Sequence, residues 1–268
     1  MDSQDILYEK KDGIATITLN RPHRMNALPL HMWMEDLSLI WQDFDRDPKM
    51  RIAILTAAGE KAFCTGVDVK DTAERNKQQG GARRSSGEVK ATPLQNKVTK
   101  PVICAVNGIV GGGGLMLVAD CDVPIASANA QFFNPGVSVG IVALYGQATW
   151  SKWMPFHANM RMALMGGGER LSAQRALELG LVTEVVRDRP LMDRAREIAG
   201  VMLENSPAAL RISKKALWSA LEHGLTGAQK TVADITRELS GHPDQIEGPK
   251  AFAEKRKPNW LDPTVPSQ

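Results

Sequence analysis

The sequence predicts an α/β fold in which strands dominate the first half of the chain and helices the last third. Short apolar runs of strand length recur between residues 6 and 127, and long helical patterns follow from residue 191. Strands early and helices late are typical of an α/β core with a helical C-terminal part. With 268 residues, 43% of them hydrophobic, the chain can bury one substantial core, with or without a smaller appended unit.

The early elements each have a local reason. Asp12-Gly13 lies between the β-forming segments 6–9 and 14–19, which predicts a hairpin. The other early elements are an amphipathic helix at 30–44, a strand at 51–56 and a short loop at 61–70.

The most informative stretch runs from Pro101 to Asp122. A strand at 101–106 leads through a turn to four consecutive glycines, Gly111 to Gly114, and then to a helical run at 115–119. The first turn of a helix has N–H groups without intrahelical partners, and glycine lets another molecule approach them. The stretch predicts an anion or oxyanion site made from main chain. A tight turn with close strand–helix packing explains the glycines alone equally well, whereas the lysine and hydroxyl of a phosphate-binding P-loop are missing.

The later elements follow from apolar runs and caps. Ser172 is placed to cap a helix at 173–179, and Gly180 to end it. The other predicted elements are a strand at 122–127, a turn-rich stretch at 130–146, helices at 147–154 and 159–165, a strand at 182–186, helices at 191–204 and 207–223, and a last helical segment in the tail.

Composition excludes several classes of protein. A net charge of +3 gives no case for a nucleic-acid or membrane-surface partner. The three cysteines lack metal-ligand spacing and suit a reducing compartment. The N-terminus has no apolar signal region, and no apolar run is long enough to cross a membrane. We therefore expect a cytoplasmic protein without a metal site.

A polar segment interrupts the middle of the chain. Residues 71–99 contain Gln-Gln-Gly-Gly and Arg-Arg-Ser-Ser-Gly runs, which predict a mobile segment that could act as a lid. Glu74 and Glu88 lie in it and could fold over a bound ligand.

Six sequence blocks together resemble the crotonase, or enoyl-CoA hydratase/isomerase, superfamily. The resemblance spans nearly the full chain in family order. It implies a spiral of ββα units at 1–195, a helical trimerisation region at 196–268, and a homotrimer or dimer of trimers. It also implies an acyl-CoA thioester as ligand, with coenzyme A as part of the substrate and no other cofactor. The blocks are LNRPHRMNAL, KAFCTGVDVK, KPVICAVNGIVGGGGL, CDVPIASANAQF, GERLSAQRALELGLVTEVV and KAFAEKRKPNW.

The resemblance also implies a site. The backbone N–H groups of Val67 and Gly113 would bind the thioester oxygen as it becomes negatively charged, and such donors lower the barrier because they are fixed beforehand. Arg21 and Arg24 could approach the CoA phosphates, although surface arginines are the commoner case. Residues matched to the CoA and substrate groove are Met25, Ala27, Ala62, Gly66, Asp68, Val69, Gly112 and Pro135, with Phe252 and Lys255 reaching the CoA of a neighbouring subunit.

Two positions depart from the family pattern. Family hydratases carry one glutamate three residues after the oxyanion glycine and another after the proline of a later block. In this sequence these positions are Met116 and Gly136. Adding water to an enoyl thioester needs groups that hold water and transfer protons, which neither residue can do. A standard two-glutamate mechanism is therefore not expected.

Four other polar residues are candidates for the implied pocket. Tyr145 could donate a proton, but a buried, hydrogen-bonded core tyrosine is the preferred interpretation. Asp120 lies one helical turn beyond Met116, where a salt bridge or cap is the preferred role. Ser138 and Asn134 are the remaining candidates.

Three hypotheses remain open at this point. The first is an acyl-CoA enzyme that keeps the oxyanion hole and catalyses decarboxylation, thioester hydrolysis or carbon–carbon cleavage. The second is hydration or isomerisation with a non-standard base from segment 71–99. The third is a non-catalytic acyl-CoA-binding subunit.

Overall fold

The computed structural model describes residues 4–71 and 89–261, and its largest element is a six-stranded sheet. The predicted hairpin is confirmed, since the first two strands pair antiparallel on either side of Asp12-Gly13, and all other neighbours in this sheet are parallel. In spatial order the strands are β1 (Ile6–Lys11), β2 (Ile14–Leu19), β3 (Ile52–Ala57), β5 (Val102–Val106), β7 (Val123–Ser127) and β10 (Glu184–Val186).

A second, smaller sheet has four short strands that the sequence did not predict. Three of them follow β3, β5 and β7 directly along the chain, so the chain repeatedly passes from the large sheet to the small one and then into a helical turn. This repeat is the ββα unit that the resemblance implies. In spatial order the strands are β4 (Ala62–Cys64), β6 (Ile109–Gly111), β8 (Gln131–Phe133) and β9 (Leu171–Ser172).

Helices cover the sheets and form most of the C-terminal part. The predicted cap is confirmed, because Ser172 Oγ accepts a hydrogen bond from the Arg175 N–H at 3.1 Å. The α-helices are α1 (Leu37–Arg46), α2 (Gly114–Ala119), α3 (Tyr145–Trp150), α4 (Phe156–Met165), α5 (Ala173–Glu178), α6 (Leu191–Leu203), α7 (Pro207–Ala220), α8 (Leu225–Thr236) and α9 (Asp244–Ala253).

The central strands β3 and β5 of the large sheet are buried on both faces. Along β5, Val102, Cys104 and Val106 join the core on the α1 and α2 side, whereas Ile103 and Ala105 join the core beneath α6. Alternate residues of a strand point to opposite faces, and a sheet covered on both sides needs apolar residues at every position. This is why these strands appear in the sequence as unbroken apolar runs.

The helix predicted at 30–44 has an irregular first half. Residues Met32–Asp36 form a π-turn before α1 begins. The indole of Trp33 lies in this turn, is 2% exposed, and donates a hydrogen bond to the Leu28 carbonyl at 3.2 Å. Single π-turns often occur next to functional sites. Here the turn places Trp33 directly behind the glycine row.

The prediction that residues 71–99 are mobile throughout is wrong for residues 89–99. Ala91 and Val98 are buried in the core, and the Trp41 indole donates to the Ala91 carbonyl at 2.8 Å. Asp45 accepts from the N–H and hydroxyl of Thr99. Gln95 and Asn96 of this stretch bond to nearby backbone groups, whereas Lys90 and Lys97 are exposed. Glu74 and Glu88 lie outside the described residues.

The predicted boundary between residues 195 and 196 falls inside α6. Ala195 and Ala199 of this helix are both buried against the large sheet. The division of the chain into a core and an oligomerisation region stays a prediction. Within the described ranges, no helix has the length and apolar character needed to cross a membrane.

Candidate functional site

The small sheet brings Gly66 and Gly113 together. β4 and β6 pair in parallel with Cys64 opposite Val110, so the residues that follow each strand meet at the same edge of the sheet. A Cβ atom on Gly66 would lie 2.8 Å from the Gly113 nitrogen, and Gly66 has φ +96°. Both the contact and the dihedral require glycine. The two loops therefore touch through their main chains.

Two main-chain N–H groups flank this contact. Leu28 forms a parallel bridge with Val67, in which its N–H donates to the Gly66 carbonyl and its carbonyl accepts from the Asp68 N–H, both at 2.9 Å. Successive N–H groups of extended chain point to opposite sides, so the Val67 N–H points away from Leu28. Gly113 directly precedes α2, and its N–H has no intrahelical partner. Within the described residues neither N–H donates a hydrogen bond.

Met116 and Gly136 border the same glycine row. Met116 lies one turn into α2, is 7% exposed, and its sulfur accepts from Gln95 Nε2 at 3.6 Å. The Cγ of Pro135 lies 4.0 Å from the position that a Cβ of Gly112 would occupy, which places Gly136 beside the row. A Cβ on Gly136 would lie 2.6 Å from the Ile141 carbonyl oxygen. The backbone therefore leaves no room for any side chain at position 136.

Asp120 is held in a structural role by hydroxyl groups. Its two carboxylate oxygens accept hydrogen bonds from Thr92 at 2.7 Å and from Thr149 at 2.9 Å. The side chain is buried, and this burial raises the pKa of the Asp120 carboxyl above its ordinary value. Asp120 is also the C-cap residue of α2, as one of the two preferred roles predicted. In place of the predicted salt bridge, its carboxylate forms a buried bridge that ties α2 to α3 and to residues 89–99.

Tyr145 is not a core residue. It is 74% exposed at the first position of α3, so the preferred interpretation of a buried, hydrogen-bonded tyrosine is wrong. The next residue, Gly146, faces α2, because a Cβ there would lie 2.8 Å from the Leu115 carbonyl carbon. Neighbouring helical positions point about 100° apart, which turns the Tyr145 ring toward solvent.

Asn134 and Ser138 are engaged in holding the loop that contains Gly136. Asn134 accepts from the Gly136 N–H at 3.0 Å and donates to the Ala143 carbonyl and to Gln147. Ser138 accepts from the Gly167 N–H at 2.8 Å. Neither side chain has the freedom expected of an acid–base group.

Apart from Gly66, Gly112 and Pro135, which are described above, the residues matched to the CoA groove fall into three groups. Met25, Ala27, Ala62 and Val69 surround the Leu28–Val67 bridge, and the Thr65 hydroxyl donates to the Met25 carbonyl at 3.2 Å. Asp68 is different, because it is buried at 5% exposure and bound to Arg21. Phe252 and Lys255 lie at the end of α9 and beyond it, both exposed, and their contact with a neighbouring subunit stays a prediction.

Sequence reasoning missed the support behind the donors. Leu28 and Trp33 hold the Val67 and Gly113 segments from behind, and Arg21 is 12% exposed and not at the surface. The only signal in the sequence was that all three lie in or just after the block 19–28. In the parts of the chain described, no three His, Cys, Asp or Glu side chains form a group that could hold a metal ion.

A two-sheet fold of ββα units with paired main-chain donors is a defined structural class, and comparison with known proteins gives the family. A family model described as enoyl-CoA hydratase/isomerase matches residues 9–263. The short-chain-enoyl-CoA hydratase of Clostridium acetobutylicum is 33% identical over 257 residues, which cover 96% of this chain and 97% of that protein. The (E)-benzylidenesuccinyl-CoA hydratase of Thauera aromatica is 36% identical over 258 residues, covering 94% and 97%. The solved structure of an enoyl-CoA hydratase/isomerase from Mycobacterium paratuberculosis is similar with a TM-score of 0.85 and 39% identity, covering 96% and 98%. This chain belongs to the enoyl-CoA hydratase/isomerase family.

Proposed function

We propose that the protein binds an acyl-CoA thioester and stabilises the negative charge that develops on the thioester oxygen with the N–H groups of Val67 and Gly113. The observation that carries this proposal is the pair of main-chain N–H groups on either side of the Gly66–Gly113 contact, which donate no hydrogen bond within the described part of the chain. Relatives of this chain include hydratases and a dehydratase of CoA compounds, which supports the choice of ligand. Fixed donors at a site of developing charge lower a barrier without reorganisation.

The reaction that suits this site needs no pair of carboxylates. Decarboxylation of a malonyl-type thioester breaks the bond between the α-carbon and the carboxylate, releases carbon dioxide and leaves an enolate whose oxygen faces the two donors. Thioester hydrolysis and carbon–carbon cleavage also pass through an oxyanion. Met116 offers no proton, and the Ile141 carbonyl closes position 136 to any side chain. We therefore favour these three reactions over standard hydration.

Hydration with a non-standard base is the second candidate. The relatives' names favour it, since they include a crotonyl-CoA hydratase from Syntrophomonas wolfei. Asp120, Asn134 and Ser138 are already engaged in structural bonds. The base would then be Tyr145, or Glu74 or Glu88 outside the described residues. A non-catalytic acyl-CoA-binding subunit is the third candidate.

The assembly and compartment expected from the sequence are also proposals. Leu217, Leu225, Ile246 and Phe252 are exposed large apolar side chains of the C-terminal helices, which supports burial by further copies in a homotrimer or a dimer of trimers. The three cysteines are free and buried, which supports a reducing compartment such as the cytoplasm.

The decisive experiment incubates the purified protein with crotonyl-CoA, methylmalonyl-CoA and a β-keto acyl-CoA, and follows the masses of the products. Loss of carbon dioxide, release of free CoA or a cleaved acyl chain, without hydration of crotonyl-CoA, supports the favoured reaction class. Addition of one water to crotonyl-CoA overturns it in favour of the second candidate. Binding of all three without conversion points to the third.

A matched pair of variants tests the oxyanion role itself. Gly113 has φ −59°, which lies within the range of proline, so Gly113→Pro removes the N–H without changing this dihedral angle. Gly113→Ala keeps the N–H and places a Cβ at the same position, 3.0 Å from the Trp33 ring. The proposal predicts that the proline variant loses about 100- to 1,000-fold in rate relative to the alanine variant. Equal rates would contradict it.

A further inference from the structure

The segment that carries the Val67 N–H is held by a largely buried ion pair between Arg21 and Asp68. The Arg21 guanidinium lies 3.2 Å from Oδ2 of Asp68, and their side chains are 12% and 6% exposed. Asp68 directly follows Val67, and Arg21 directly precedes the turn that leads to Leu28. The pair therefore joins the two segments whose bridge orients the Val67 N–H.

The same arginine nitrogen also fixes the Leu28 side of the bridge. Nη1 of Arg21 donates to the Ala27 carbonyl as well as to Asp68. Ala27 is the neighbour of Leu28, whose own N–H and carbonyl clamp the peptides on both sides of Val67. One guanidinium thus sets the spacing between the turn and the donor segment.

The turn itself is strained and rigidly supported. Met25 and Asn26 have φ of 53° and 52°, a conformation that costs non-glycine residues on the order of 1 kcal/mol or more each. Asn26 is 1% exposed, accepts from the Arg21 N–H at 2.8 Å and donates to the Ala58 and Ala62 carbonyls. This buried amide ties the turn to the segment that joins β3 and β4. The turn is therefore held rigidly in place, and it gives Arg21 a fixed position relative to β4.

The carboxylate end of the pair is equally constrained. Oδ1 of Asp68 accepts from the N–H groups of Lys70 at 3.1 Å and Asp71 at 3.4 Å. Burial raises the pKa of Asp68, but these backbone donors and the Arg21 guanidinium outweigh burial and hold the pKa below its ordinary value. Asp68 is thus ionised at neutral pH, with one oxygen on the helical turn that begins at Val69 and the other on Arg21.

A buried ion pair of this kind contributes more to the fixed geometry of the segments it joins than to the net stability of the protein. A buried ion pair gains little over apolar residues of similar size, because desolvation offsets most of the attraction. Its bonds nevertheless fix distances and angles closely, since the guanidinium whose Nη1 makes both of them is planar and rigid.

We propose that Arg21 is a positioning residue whose simultaneous bonds to the Ala27 carbonyl and the Asp68 carboxylate aim the Val67 N–H at the thioester oxygen. This inference rests on the proposed oxyanion role of Val67 and adds a residue to it. Arg21 itself contacts neither substrate nor reacting atoms in this scheme. The Asp5 carboxylate, 3.2 Å from Nε of Arg21, supplies a further charge at the outer end of the guanidinium.

The test compares Arg21→Met and Arg21→Lys with a control ion pair. Arg194→Met is the control, because Arg194 makes a two-pronged ion pair with Glu184 at 2.9 Å on β10, the edge strand of the large sheet. The readout is the carbonyl stretching frequency of bound crotonyl-CoA labelled with ¹³C at the thioester carbon, which falls when hydrogen bonds polarise the carbonyl. The dissociation constant of the same ligand and the unfolding free energy are measured in parallel.

We expect Arg21→Met to lose part of the frequency shift seen in the wild type and to lower kcat by about 10- to 100-fold on any thioester that is turned over, since a 1 Å misplacement costs about 100-fold. KM and the dissociation constant stay close to wild type. Arg21→Lys keeps the charge but replaces the planar guanidinium with a flexible ammonium group, and it shows most of the same loss. Arg194→Met keeps the full shift.

The outcomes separate this inference from the proposed function. A wild-type protein that leaves the carbonyl stretch at its solution value contradicts the proposed function itself. A wild-type shift that Gly113→Pro reduces and Arg21→Met leaves intact overturns the positioning role alone. Full activity and a full frequency shift in Arg21→Lys overturn the positioning role too, because charge without the planar guanidinium would then suffice. If Arg21→Met does not fold, Arg21→Lys provides the same comparison.

Discussion

Gly114 of α2 lies against Cys64 of β4, so the effect of a larger residue at position 114 on rate and stability can be calculated from the structure. A Cβ atom on Gly114 would lie 2.2 Å from the Cys64 carbonyl oxygen and 3.0 Å from its carbonyl carbon. Real Cβ atoms stay at least 3.0 Å from such neighbours, so Gly114→Ala forces a separation of at least about 0.8 Å, which is 3.0 minus 2.2. Cys64 is fully buried in the small sheet and cannot yield easily. The start of α2 must therefore move.

This displacement carries the Gly113 N–H with it. At about 100-fold per ångström of misplacement, 0.8 Å corresponds to a rate loss of roughly 40-fold. Overpacking costs about 1–3 kcal/mol of unfolding free energy, and the better helix propensity of alanine offsets about 0.5–1 kcal/mol of it. We expect a net loss of about 1–2 kcal/mol.

The assay is urea unfolding followed by tryptophan fluorescence, together with turnover of the thioester that the substrate panel identifies. Gly200→Ala is the matched control, because Gly200 is exposed in α6 and has no atom within 4 Å of its would-be Cβ. Gly200→Ala should gain up to about 1 kcal/mol of unfolding free energy and keep full activity. A Gly114→Ala protein with wild-type stability and turnover would refute the assigned contact and the placement of Gly113 that depends on it.

Three further substitutions test the site from other directions. Gly136→Ala should lose about 1–3 kcal/mol of unfolding free energy, because its Cβ meets the Ile141 carbonyl oxygen at 2.6 Å. The control Gly168→Ala has open space around its Cβ and should keep wild-type stability. Equal urea midpoints for the two variants would show that the loop around Gly136 can move without cost. Asp120→Asn should gain stability relative to wild type between about pH 4 and pH 7.5. The wild-type carboxyl has a raised pKa in the folded state, so the folded protein binds more protons than the unfolded chain. The free energy of unfolding of the wild type therefore falls as the pH rises, whereas asparagine does not titrate. A stability difference between Asp120→Asn and wild type that is the same at both pH values would contradict the burial argument. Tyr145→Phe should leave turnover unchanged, since the ring is 74% exposed; a loss of about 100-fold or more, typical of acid–base groups, would make Tyr145 the missing proton donor.

The sequence predicted those parts of the fold that have a strong local signal. The strand at 14–19 and the Ser172-capped helix were predicted within a residue of their observed ends, because apolar runs and caps are local features. The strands Ala62–Cys64, Ile109–Gly111 and Gln131–Phe133 were missed. Strands this short show no periodicity, and their existence depends on pairing with segments far away in the chain.

The candidate site shows the same division. The glycine row could be recognised as a donor site because four consecutive glycines are visible in the sequence itself. The roles of Arg21, Asn26 and Leu28 could not, because an arginine buried against Asp68 looks identical in sequence to one on the surface. Tyr145 was assigned to the core on residue type alone, and only the close approach of Gly146 to α2 shows why the ring faces solvent.

The crowding at Gly136 also bears on how this chain can change over time. A glycine codon can become a glutamate codon through one base substitution, so a carboxylate at this position is genetically close. The Ile141 carbonyl stands where the new side chain would begin, so the mutant would first destabilise its own loop. Acquiring a two-carboxylate site would require the segment around Ile141 to shift beforehand, through changes that bring no catalytic advantage by themselves. The backbone around Gly136 therefore restricts which residues this position can accept, whatever reaction the protein catalyses.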